Sequence, residues 1–205
     1  MTTKLLLTGA LIALLALPAV AQNAPQGTPT RIRGTVEKLD GQKLMVKARD
    51  GSAVTIDLAP NYAVRAVVKR SVADIKPGDF VASTSVKQPD GSYKAVELHI
   101  FLEAQKGVVP QGQQPWDLIP DSLMTNAIVT GVSSAPQGGK MTVKVKDKDF
   151  EVAVPPDTPV VTYAPGDASL LKPGAAIFVI ALKKPDGSLS SANVTAEKDG
   201  VKPPM

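Results

Sequence analysis

The sequence predicts an all-β protein of two tandem small OB-like β-barrels, each with one short helical turn, following an N-terminal signal helix. Three observations predict it. Apolar residues recur with period two through most of the chain, a set of motifs returns at a nearly constant spacing, and the composition suits small aliphatic cores, with aromatics at 4% of 205 residues beside 16 Gly and 18 Pro. Period two marks a strand with one buried face. A repeat of about 97 residues is the size of one small domain, and two modest barrels fit an aliphatic chain better than one large core.

The first element is the N-terminal segment. Lys4 supplies a positive start, residues 5–20 are apolar apart from Thr8, and Ala19-Val20-Ala21 is an A-x-A cleavage motif followed by Gln22. This is the pattern of a secretory signal peptide over 1–21, with Ala19 and Ala21 as the small residues of the cleavage site. The apolar run is shorter than the roughly 20 residues of a spanning helix, and no later segment is long and apolar enough to cross, so the mature form is expected to have no transmembrane span. The expected location is the periplasm, or secretion. Residues 22–29, rich in Pro, Gly and Gln, read as a disordered leader.

The repeat sets the next boundaries. Ile32-Arg33-Gly34-Thr35-Val36 returns loosely as Val129-Thr130-Gly131-Val132-Ser133, and Lys43-Leu44-Met45-Val46-Lys47 as Lys140-Met141-Thr142-Val143-Lys144, both at a spacing of 97. At a spacing of 96, Val54, Ile56, Leu58 and Pro60 match Phe150, Val152, Val154 and Pro156; Lys76-Pro77-Gly78 matches Lys172-Pro173-Gly174; and Pro89-Asp90-Gly91-Ser92 matches Pro185-Asp186-Gly187-Ser188. Two copies of one domain are therefore expected, barrel 1 over 30–103 and barrel 2 over 126–198. A linker over 104–125 joins them, a tail covers 199–205, and each copy is expected to fold by itself.

Within each copy the strands follow from alternation: Leu44, Val46 and Ala48 against Met45, Lys47 and Arg49, then Val54, Ile56 and Leu58 against Thr55 and Asp57. Ser71 with Asp74 three residues on, stopped by Lys76-Pro77-Gly78, is a short capped helical turn, and Asp167 to Leu171 is its counterpart. Pro-Asp-Gly between strand pairs is a hairpin turn, in which Pro presets one dihedral and Gly takes a positive φ. Three strands, one helical turn and a hairpin is the order of an OB-like barrel; an SH3-like barrel and an open sandwich are the alternatives.

Alternating strands, then Ala73-Asp74-Ile75-Lys76-Pro77-Gly78-Asp79-Phe80-Val81, then a Pro-Asp-Gly hairpin, resemble a bacterial exported domain-of-unknown-function family with an OB-like barrel. The tandem form of that family is similar over nearly the whole mature chain, including Gln114-Pro115-Trp116-Asp117-Leu118 and the final Gly200-Val201-Lys202-Pro203-Pro204-Met205. Relatives sometimes carry the label metal ABC transporter permease. A permease needs several spanning helices, so the resemblance implies at most a metal-related context.

The chemistry is bounded by what is scarce. The absence of Cys excludes disulfides and thiolate sites, and a single His excludes a multi-His centre, so no metal site and no cofactor are expected. His99 reads as a surface or barrel-rim residue, facing opposite Leu98 and Ile100. No G-x-S-x-G elbow occurs, and the acids fall in turns or on the solvent faces of strands, so no catalytic residue is assigned. The formal charge of +4 falls to +3 when Lys4 is removed, too little for a nucleic-acid interface.

Two binding candidates remain. Tyr62, Arg65, Lys69 and Arg70 lie between the third strand and the helical turn of copy one, where copy two has Val161 and nothing basic; an aromatic beside cations suits an anionic polymer. Trp116, the one Trp, sits in the linker among Pro115, Leu118 and Ile119, placed to pack between the barrels or to anchor a partner. The expected function is a periplasmic, non-enzymatic binding or scaffolding protein of the cell envelope whose partner is an envelope protein or an anionic glycan. The alternatives are an accessory protein in metal uptake or homeostasis, and an envelope hydrolase or transferase with an unrecognised site.

Overall fold

The computed structural model describes residues 27–133 and 138–204. The signal segment with Ala19 and Ala21, and most of the leader, lie outside the described residues.

The described chain is all-β. Twelve strands run in chain order: β1 (Thr28–Asp40), β2 (Lys43–Ala48), β3 (Ala53–Arg70), β4 (Phe80–Lys87), β5 (Tyr93–Ile100), β6 (Gly112–Pro115), β7 (Ser122–Ser133), β8 (Gly139–Val145), β9 (Lys148–Val154), β10 (Val160–Gly166), β11 (Ala176–Lys183) and β12 (Leu189–Ala196). The two expected helical turns are single 3-10 turns at Val72–Asp74 and Ala168–Leu170. Asp74 accepts the Ser71 amide at 2.8 Å, and Asp167 accepts the Ser169 amide at 2.8 Å. In the hairpins Asp90 and Asp186 accept from the Ser two residues on, with Gly91 and Gly187 at φ 88° and 85°. The aspartates are occupied by their turns.

The pairing departs from the expected domains. One ring closes as β1-β2-β3-β12-β11 and back to β1, with β3 and β12 parallel and every other pair antiparallel. The other closes as β7-β8-β9-β5-β4 and back to β7, again with one parallel pair, β5 with β9. Each barrel thus takes three strands from one half of the chain and its last hairpin from the other. Barrels over 30–103 and 126–198 as contiguous units are not what forms. The cores agree: Val36, Leu44, Val46, Ile56 and Leu58 pack with Ile177, Val179 and Val194, whereas Val81, Leu98 and Tyr93 pack with Val129, Met141, Val143 and Val152.

The exchange is held by the long strand β3. Its first residues pair with β2, but its end runs on and pairs antiparallel with β10 over Val64–Arg70. Val67 stands directly opposite Tyr163, its own repeat equivalent 96 residues on, so a local two-fold passes between them. In the second half the same run is interrupted at Pro155-Pro156, which separates β9 from β10, because proline cannot donate to a ladder.

The register corrects the repeat alignment at its first motif. Thr35 faces Ala176 in one barrel, and Ile128 faces Phe80 in the other. With Phe80 and Ala176 96 apart, the equivalent of Thr35 is Ile128, a spacing of 93, so Gly34 corresponds to Ala127 and not to Gly131. The difference is absorbed between the first two strands, where the Ser133–Lys140 pair encloses six residues and the Asp40–Lys43 pair encloses two.

The span 104–125 is also more than a linker. It begins in a 3-10 turn at Glu103–Gln105, forms β6, which pairs with β7, and enters β7 at Ser122.

Candidate functional site

Strand alternation builds the site from residues that face away from both barrel interiors. The strands β12, β3, β10 and β5 lie side by side across the two-fold, with β3 paired on both edges over Val64–Ala66 and β10 over Val160–Thr162. Val64, Leu98 and Val194 point into the barrels. The alternate residues Arg65, Val67, His99, Tyr163 and Thr195 therefore face a saddle where the barrel exteriors meet. There Val67, Ala82, Met124, Val161, Tyr163 and Phe178 form a third apolar cluster, with Phe101 and Trp116 against it.

A cleft of about 560 Å³ opens over this saddle. Among the described residues its only charged lining side chains are Arg31 and Arg65, and Asn126, Asn193, Gln105 and Gln114 add neutral amides. Arg65 donates to Asn193 Oδ1 at 3.2 Å. A second groove of about 670 Å³ runs from Arg65 past Tyr62 along residues 163–168, sharing Arg65, Gln105 and Tyr163 with the cleft.

Trp116 is partly buried at the wall of the cleft. The Arg31 guanidinium lies 3.9 Å above its ring, and Phe178 is 6.4 Å away. The segment after it is fastened to the first barrel: Arg33 pairs with Asp117 at 2.8 Å, Arg31 approaches it at 3.7 Å, and Arg49 donates to the Asp117 and Leu118 carbonyls at 3.0 and 3.1 Å. Because β6 is paired with β7 of the second barrel, the strap over 112–118 ties one barrel to the other.

Two residues read from sequence as surface groups are buried here. His99 is fully buried, its ring tilted against Tyr163 at 4.0 Å and Phe101 at 4.6 Å, and neither ring nitrogen is hydrogen-bonded to a described residue. Burial, reinforced by the Arg65 charge, lowers its pKa to about 3, so it is neutral. Glu97 is 1% exposed, so the acids are not confined to turns and solvent faces. Burial raises its pKa to about 7, against the opposing Thr84 hydroxyl at 2.6 Å and the charge of Arg33. Burial, then the Glu97 charge, also raises the Tyr163 phenol above its ordinary range. The alternation placed both residues on the outer face of β5, which is the solvent face of an isolated barrel; only the other barrel, with β10, covers it.

The basic cluster is dispersed. Tyr62, Arg65, Lys69 and Arg70 all lie within β3 and not between it and the helical turn. Tyr62 packs at the edge of the first core and lines the groove, Arg65 lines both depressions, and Lys69 and Arg70 are exposed at the far end of the strand. The cleft unites Arg65 with Trp116, and adds Arg31, Tyr163, Phe178 and Asn193, which sequence reasoning missed. The repeat held a signal for part of this set: Tyr163 and Phe178 stand where copy one has Val67 and Ala82. Among the described residues no three His, Asp or Glu side chains gather into a metal-sized cluster. In comparisons with family models, curated proteins and solved structures, nothing matches this chain.

Proposed function

We propose that the chain is a non-enzymatic binding module of the bacterial cell envelope, two OB-like barrels that hold an anionic glycan in the cleft between them. The observation that carries the reading is the cleft lining: two arginines with no acid among the described lining residues, the aromatic side chains of Trp116, Phe101 and Phe178, and a set of neutral amides. Guanidinium groups suit carboxylates, amides suit ring hydroxyls, and aromatic faces suit the apolar face of a sugar. The OB-like assignment rests on the closing order of the strands, in which the third and last strands of each barrel are parallel and a single 3-10 turn precedes the fourth. The periplasmic location rests on the sequence of residues 1–21. Of the strongly perturbed groups, Glu97 is sealed beneath the saddle and His99 is a fully buried, neutral part of the cleft floor, which favours binding over catalysis.

The test uses Trp116, the one Trp of the chain, as an intrinsic reporter. Trigalacturonate is expected to shift its emission saturably, maltotriose to leave it unchanged, and Arg65→Ala to weaken the response. Equal responses to the neutral and acidic sugars, or none to either, would overturn the reading.

A further inference from the structure

We propose that the cleft and the groove are one continuous trough, and that it takes a chain of acidic sugars running from Trp116 to Tyr62 in preference to a single ring. The proposal rests on the cleft being a binding site, as argued above, and concerns the size and class of what it holds.

The two depressions meet at Arg65, Gln105 and Tyr163, so a ligand lying against Arg65 in one has an open path into the other. An aromatic side chain stands on either side of that junction, Trp116 in the cleft and Tyr62 in the groove. Tyr62 lies three residues before Arg65 on β3, about 10 Å along an extended strand, which is beyond the reach of a ligand confined to one ring at Arg65. Among the described residues the one acid lining the groove is Asp167, and its carboxylate already accepts the Ser169 amide, so it is turned to its own 3-10 turn. A cation at the junction with an aromatic side chain to each side suits a repeating anionic chain.

The alternative of an acidic peptide is disfavoured by the pairing of the floor. Peptides commonly bind by adding a strand to a free sheet edge. Where the trough crosses them, β3 is paired with β12 over Ala63–Ala66 and with β10 over Val64–Arg70, while the edge of β10 that β5 leaves beyond Thr162 is broken by Pro165, which has no amide to give an added strand. Recognition there falls to side chains, and the neutral amides Gln105, Gln114, Asn126 and Asn193 each offer a donor and an acceptor to hydroxyl groups. The trough is also directional. Its central cation has no equivalent across the two-fold, because Val161 stands at the position matching Arg65.

The experiment is a calorimetric titration of the full mature chain with galacturonate oligomers of increasing length, with Trp116 emission followed in parallel. Affinity is expected to rise about tenfold from the dimer to the hexamer and then level off. Tyr62→Leu, which keeps an apolar side chain against the barrel edge, is expected to weaken the hexamer more than the dimer and so narrow the gap; an unchanged melting curve confirms that the variant is folded. Equal affinities for dimer and hexamer would overturn the trough while leaving the cleft as a binding site. Loss of all uronate binding at every length would overturn both. Hexaglutamate binding as tightly as the hexamer would overturn the sugar class.

Discussion

Cutting the chain between Asp121 and Ser122 tests the exchanged pairing directly. Of the thirteen buried residues in the first barrel's core, seven come from the second half: Leu171, Ala175, Ile177, Val179, Ala181, Val194 and Ala196. Four of these are large aliphatics, and at about 1.5–3 kcal/mol for each fully buried side chain their loss removes roughly 6–12 kcal/mol. The whole stability of a typical domain is about 5–15 kcal/mol. The second barrel is equally dependent, because Ile75, Val81, Tyr93, Ala95 and Leu98 reach it from the first half. Neither half, 22–121 or 122–205, is therefore expected to fold as a monomer. Each alone should be unfolded or should form a homodimer in which two copies exchange hairpins, and an equimolar mixture should give a 1:1 complex. Light scattering supplies the masses, and urea titration followed by circular dichroism should show a cooperative transition for the mixture. If each half is a folded monomer with its own cooperative transition, the hairpin has closed onto its own three strands and the reasoning fails.

Two further outcomes follow from buried groups and close packing. The native Glu97 carboxyl titrates near 7 against an ordinary 4.5, so through that window only the unfolded chain has released its proton and stability falls as pH rises; native His99 titrates near 3 against 6.5, so stability falls as pH drops through its own window. Between pH 4.5 and 6.5 the two oppose, and urea midpoints of the intact protein should be flat with respect to these groups, whereas Glu97→Gln should gain stability with rising pH and His99→Gln should lose it, each by about 1.4 kcal/mol per pH unit. Identical pH profiles for the two variants would refute the assignment. Gly34 sits where β1 crosses β2 so closely that a Cβ would meet the Lys47 carbonyl oxygen and lie 2.7 Å from Val46 Cγ1. Gly34→Ala should cost about 2 kcal/mol through overpacking, although the equivalent Ala127 carries a methyl in the other barrel; an unchanged urea midpoint would show that β2 yields without cost.

Much of the local structure was determined by the sequence itself. Alternation in Leu44–Val46 and Ile56–Leu58 names the buried face whatever the partner, and the Asp-Gly turns close on themselves through Asp90–Ser92 and Asp186–Ser188, because these interactions span only a few residues. The repeat announced two barrels for the same reason. Which hairpin enters which barrel was decided only in the tertiary structure. Since the copies are alike, β4-β5 and β11-β12 present similar apolar faces and match the same three-strand partner, so no local pattern separates the contiguous arrangement from the exchanged one. The choice follows from the run of β3 beyond its barrel into the β10 ladder, a contact between residues 96 apart at the two-fold. The same contact explains the site. His99, Glu97 and Arg65 occupy strand positions that face water on a single barrel; with the other barrel laid against them, His99 and Arg65 become floor and lining of a cleft and Glu97 is buried beneath it.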